Sequence, residues 1–131
     1  MTRFFLGLAG LAVAASPVVA DAKSSLEGRW KNGSMQIQIA QCGPSLCGTV
    51  VKASAKQQAR AQRGSGTSLL GARVISNIRT VAPQRYRANV YLADRDVTAS
   101  GTIRQLGPNR LEVRGCMLAV ICKTTHWDRI G

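Results

Sequence analysis

At 131 residues with 18 lysines and arginines against 6 aspartates and glutamates, the chain carries a formal net charge of +12, an excess that internal ion pairs cannot absorb. The length allows one domain with a modest core and excludes two. A surface this basic favours anionic partners.

The chain opens MTRFFLGLAGLAVAASPVVADA, with Arg3 ahead of an apolar run from Phe4 to Ala15, then Pro17 and small residues. This is the pattern of a secretory signal peptide over residues 1–22, with cleavage after Ala20 or after Ala22 equally supported. The apolar run is shorter than the ~20 residues that span a bilayer, and no later segment is long and apolar enough to do so. The expectation is a monomeric, periplasmic or secreted protein that does not span the membrane, with residues 23–131 forming a single β domain.

Beyond the signal the hydrophobic period is two rather than three and a half. In MQIQIA, Met35, Ile37 and Ile39 share a face opposite Gln36 and Gln38. Then follows CGPSLCGTV, whose Cys42 and Cys47 raise three readings: a metal knuckle, a redox pair or a staple. Four residues separate this pair and five separate Cys116 from Cys122, so neither has the two-residue spacing of a thioredoxin-like site or a zinc knuckle. In an exported chain two local disulfides are expected, Cys42 with Cys47 and Cys116 with Cys122, each contributing about 2 kcal/mol through loop entropy. Gly43-Pro44-Ser45 is turn chemistry, so the first bridge should clamp a hairpin end.

GTVVKA, after Cys47, is the next strand candidate. KASAKQQARAQRGSG interrupts the pattern: it is rich in helix formers and spaces Lys52, Lys56, Arg60 and Arg63 so that a helix would align them, until Gly64-Ser65-Gly66 stops it. It reads as either a short basic helix or a connecting loop, and its stripe is a candidate anion-binding face for anionic lipid or polysaccharide. The alternative is a solvated surface that keeps the protein soluble. No aromatic array interleaves these charges, which argues against nucleic acid.

ARVISNI and RYRANVYL follow as strands, the latter with Tyr86, Ala88, Val90 and Leu92 on one face. TASGTIRQL, NRLEVRG and ICKTTHWDRI complete six or seven short strands, the first two of these joined by the turn Gly107-Pro108-Asn109. An antiparallel sheet of this size escapes exposed edges by closing, so the fold class expected is all-β, a small meander barrel with one basic loop or short helix.

Candidates for catalysis are few. His126 has Thr124 and Asp128 two residues away on the same strand face, a spacing that an exposed strand explains equally well. Asp94 and Asp96 in ADRDVT invite a glycosidase pair or a cation site, but Arg95 and the turn-like context favour a loop. No catalytic residue, metal or cofactor is assigned.

Three segments resemble an exported bacterial family, the domain of unknown function 2147. LEGRWKNGSMQIQIAQCGPSLCGTVV is similar to its opening Gly-x-Trp, strand and cysteine turn; LLGARVIS to its central Leu-Ile-Gly segment; and LEVRGCMLAVICKTTHWDRIG to its closing Arg-Gly-Cys, Cys-Lys and Trp-x-Arg block. RYRANVYLADRDVTASGT departs from the family's Asn/Asp-Pro-x-x-Gly-Lys-Thr-Tyr hairpin. The resemblance implies export, a compact β domain and paired cysteines, and no reaction. The chain ends also resemble lipocalin-like barrels, in which an Arg from the last strand covers the Trp of Gly-x-Trp; Trp30 and Arg129 are the residues placed for this, with Trp127 as a competing indole. The function expected is a non-enzymatic binder of a small apolar or amphipathic ligand; the alternative is a basic surface-binding or scaffolding protein for an acidic polymer, anionic lipid or protein partner.

Overall fold

The computed structural model describes residues 25–117 and 120–131. The expected signal peptide, residues 1–22, lies outside the described residues. The elements run β1 (Gly28–Asn32), β2 (Met35–Cys42), β3 (Ser45–Lys52), α1 (Ala55–Ser65), β4 (Arg73–Ala82), β5 (Arg85–Leu92), β6 (Val97–Gly107), β7 (Arg110–Met117) and β8 (Ile121–Arg129). Every strand pairs antiparallel with its neighbour in sequence, and β1 pairs with β8 through Trp30↔Arg129 and Lys31↔Asp128 to close a barrel. Among the described residues, closure leaves no edge strand to recruit another chain.

Strand count is where the structure corrects the sequence reading: there are eight described strands, not six or seven, because Gly28–Asn32 is a strand of its own. Only Trp30 of its five residues points fully into the core, so alternation offers little signal. Its pairing with β2 and β8 is what makes it a strand.

The core follows the period of two. Ile37 and Ile39 of β2, Val50 of β3, Ile103 of β6 and Leu111 of β7 are essentially inaccessible. In β4 the alternation breaks at Asn77, whose φ of 54° is a conformation that asparagine tolerates. The register shifts between Ser76 and Arg79, and Ile75 and Ile78 both reach the core.

β3 ends and β4 begins at the same end of the barrel, and the connection between them lies over that end, with Ala61 and Leu69 buried in the core cluster. It does so as a helix. Ser54 caps α1: its hydroxyl accepts from Gln57 N at 3.1 Å while the Gln57 side chain accepts from Ser54 N at 2.9 Å, a reciprocal capping box. Gly66 terminates the helix at φ 72°, donating its N–H to Gln62 O, the left-handed stop that glycine adopts without strain. The helix is therefore the outcome for the segment left open between helix and loop. Lys52, however, closes β3 and is not on it, so Lys52, Lys56, Arg60 and Arg63 do not form one helical stripe.

Candidate ligand-binding cavity

The two ends of the barrel are built differently. At the base, where β1 begins and β8 ends, the Arg129 guanidinium lies 4.3 Å from the centroid of the Trp30 ring. Its donors fan out to chain carbonyls: Nε to Pro108 O at 2.9 Å, Nη1 to Glu27 O at 2.8 Å, and Nη2 to Ser25 O. Trp30 Nε1 donates to Leu26 O at 2.9 Å, and Ser25 Oγ donates to Gln105 Oε1 at 2.8 Å. Trp127, the competing indole, instead donates to Thr125 Oγ1 at 3.0 Å. The base is a plug, with the Trp30 indole N–H and each of the three Arg129 guanidinium nitrogens donating to a backbone carbonyl.

The Cys42–Cys47 bridge clamps the β2–β3 hairpin on this base side, with a Cα–Cα distance of 5.7 Å. Cys116–Cys122 joins β7 to β8 at the opposite end, with a Cα–Cα distance of 4.0 Å.

That opposite end is the mouth, and it holds a cavity of about 430 Å3 beneath α1. Ile75, Val90, Ala99, Val113 and Trp127 form its apolar floor and walls, and Ala61 and Leu69 close it from the lid side. The space exists because residues at inward positions are small. A Cβ added at Gly115 would make only ordinary contact, 3.8 Å from Val90 Cβ and 4.0 Å from Ala99 Cβ. At Gly101 it would lie 2.7 Å from Val90 Cγ2, so that glycine is filled by its neighbour while Gly115 is not.

The lid is held by close backbone contact and by hydroxyls. A Cβ on Gly64 would sit 2.0 Å from Asp94 O, which shows how tightly the helix end rests on the β5–β6 turn. Beyond the helix, Thr67 Oγ1 lies 3.3 Å from Tyr91 OH, which donates to Asp96 Oδ1 at 2.7 Å.

Arg60 of α1, Arg95 of the β5–β6 turn and Lys123 of β8 also line the cavity, with Asp94 the carboxylate among the lining residues. Arg60 and Arg63 border a polar recess with Gly64 and Asp94. Lys52 and Lys56 are exposed at the same end and line neither. Of the four basic positions singled out from sequence, the structure thus brings Arg60 alone into the cavity. Lys123 escaped notice as an isolated cation, although the alternation Ile121, Lys123, Thr125, Trp127 marks an inward position; Arg95 carries no such signal.

Of the catalytic candidates, Asp94 alone lines this space. His126, Thr124 and Asp128 lie exposed on the outer face of β8, where His126 Nε2 is 3.6 Å from Glu112 Oε2. Asp96 is engaged by Tyr91. Among the described residues no group of three or more His, Cys, Asp or Glu side chains is placed to hold a metal ion, and no helix is long and apolar enough to cross a membrane.

A closed antiparallel barrel with an Arg-on-Trp plug at one end and an apolar chamber at the other defines a lipocalin-like architecture. A solved structure, protein HP1028 from the human pathogen Helicobacter pylori, described as belonging to the lipocalin family, is similar with a TM-score of 0.61 at 14% identity, over 81% of this chain and 83% of that one. At that identity the likeness is one of fold. The chain itself belongs to the family described as "Uncharacterized protein conserved in bacteria (DUF2147)", which matches residues 22–129. No curated protein matches its sequence.

Proposed function

We propose that this protein is an exported, non-enzymatic carrier that holds a small apolar or amphipathic ligand inside its barrel. The observation that carries the reading is the cavity of about 430 Å3 under the lid helix, which lies within the ~300–1,000 Å3 typical of small-molecule sites. An eight-stranded barrel either fills with its own side chains or encloses one small ligand. Glycine and alanine at positions 115 and 99, where bulkier residues would fill the space, favour the second. The secretory pattern of residues 1–22 and the two disulfides support a periplasmic or secreted location. Native mass spectrometry of protein purified from the periplasm should detect a discrete added mass that is lost on denaturation. Protein of bare mass under conditions that preserve non-covalent lipid complexes would count against a carrier.

A second reading, surface binding to anionic envelope lipid, is favoured by the cations exposed around the mouth, Lys52, Lys56 and Arg63 among them, and by Val120 and Ile121 at the same end of the barrel, 81% and 57% exposed. Changing Lys52, Lys56, Arg60 and Arg63 to Gln should then reduce co-sedimentation with anionic vesicles at low salt. Equal pelleting of parent and variant at low and physiological salt removes it.

A further inference from the structure

We infer that the ligand is a single-chain amphiphile with an anionic head, a carboxylate or a phosphate, and that Arg60, Arg95 and Lys123 form the head site at the cavity mouth. This rests on the carrier reading and goes further by naming the ligand's class and its orientation.

The floor excludes the head. Val90, Ala99 and Val113 are apolar, and the polar groups beside them are already used: Trp127 Nε1 bonds to Thr125 Oγ1, and no buried side-chain nitrogen or oxygen among the described residues lacks a partner. A charged group placed there would lose its hydration and find no replacement, a cost of several kcal/mol. An alkyl tail placed there gains ~0.8 kcal/mol for each buried methylene. The tail must go down and the head must stay at the mouth.

The mouth receives it with cations from three separate elements, helix α1, the β5–β6 turn and β8, which the fold brings to the lining of one chamber. None of the three makes an ion pair among the described residues. Lys123 is the most telling of these. It alternates with Thr125 and Trp127 along β8 and lines the cavity while remaining exposed; a lysine so placed can lay its aliphatic stem along an apolar wall and keep its ammonium in water, which suits a ligand that is apolar below and charged above. Low-dielectric walls around the opening concentrate the field of such charges on an entering anion.

Trp127 in the cavity wall supplies the readout. Its emission should respond to decanoate, decyl phosphate and decanol, which share a tail and differ in head. Both anions should bind about tenfold or more tightly than decanol, the worth of one charge-assisted contact; the ratio of decanoate to decyl phosphate distinguishes a carboxylate from a phosphate head. Changing Arg60, Arg95 and Lys123 together to Gln should lower the affinity for both anions to that for decanol while leaving decanol unchanged. Lys56→Gln, on the same helix but outside the lining, should change nothing, which separates a head site from general surface charge. The single variants Arg95→Gln and Lys123→Gln give the same direction should the triple variant not fold. Equal binding of all three probes by the parent, or an equal loss of all three in the variants, overturns the head site while leaving the cavity in place. Binding of none overturns the carrier reading with it.

Discussion

At the scale of single residues, the barrel base shows how a short sequence pattern acquires its force from contacts far along the chain. Gly28 adopts φ 139°, and a Cβ there would lie 2.5 Å from both Arg129 Nη1 and Gly131 O. A side chain is thus refused twice, by backbone conformation and by the guanidinium that covers Trp30. Gly28→Ala should cost about 2 kcal/mol or more, since it must strain the backbone or displace Arg129. Arg129→Lys keeps the charge but loses the planar fork that reaches the carbonyls of Ser25, Glu27 and Pro108, and should cost about 1–3 kcal/mol. Urea unfolding would check both, with the midpoint falling and the slope unchanged. The Trp30–Arg129 pairing was legible in the sequence because an indole and a guanidinium are chemically distinctive. The carbonyls that Arg129 gathers were not, since any residue has a carbonyl and only closure of the barrel brings those of residues 25, 27 and 108 together.

At the scale of elements, α1 was visible as a run of helix formers ending at glycines, but its place as a lid was not. That placement rests on Ala61 and Leu69 joining the core cluster, a matter of contacts with strands elsewhere in the chain rather than local composition. Gly64 is the position where the two levels give opposite forecasts. Helix propensity alone expects Gly64→Ala to stabilise by about 1 kcal/mol. The structure expects the reverse, because the new methyl would lie 2.0 Å from Asp94 O and 2.3 Å from its carbonyl carbon, so the helix end must lift from the β5–β6 turn. Hydrogen exchange should report faster opening across residues 55–66 with the strands unchanged; protection equal to the parent's would show that the lid does not depend on this contact. The disulfides invite a parallel comparison, since Cys42–Cys47 closes a sequence separation of 5 and Cys116–Cys122 one of 6. Replacing Cys42 and Cys47 by Ser should cost about 2 kcal/mol by loop entropy and leave ligand binding intact, because that bridge sits at the base, away from the mouth.

At the scale of the whole molecule, stability and binding draw on the same interior space in opposite ways. Alternation along β5, β6 and β7 made inward positions such as Val90 and Val113 legible, but no local pattern shows whether the side chains of eight strands sum to a filled barrel or leave a chamber; that depends on volumes contributed by strands distant in sequence. Gly115 is the position that tests the consequence. Its backbone needs no special conformation, and a Cβ there meets Val90 at 3.8 Å and Ala99 at 4.0 Å, ordinary contacts that require nothing to move. Gly115→Val adds a β-branched side chain to a strand, lowers the entropy of the unfolded chain and buries apolar surface against the apolar cavity wall. Filling a cavity in this way commonly adds about 0.5–2 kcal/mol of stability. The same side chain occupies volume that a ligand tail would take, so a ligand should add little further stability. In the parent, a ligand at a hundred times its dissociation constant should add about 2.7 kcal/mol by mass action, which in a domain of this size raises the melting temperature by roughly 10 °C or more. Thermal melts of parent and variant, each with and without decanoate, measure both effects at once. The carrier expects Gly115→Val to melt higher than the parent alone and to lose most of the ligand-induced rise. A variant that melts higher and still gains the full rise would place decanoate outside the barrel, and with it the function proposed for this cavity.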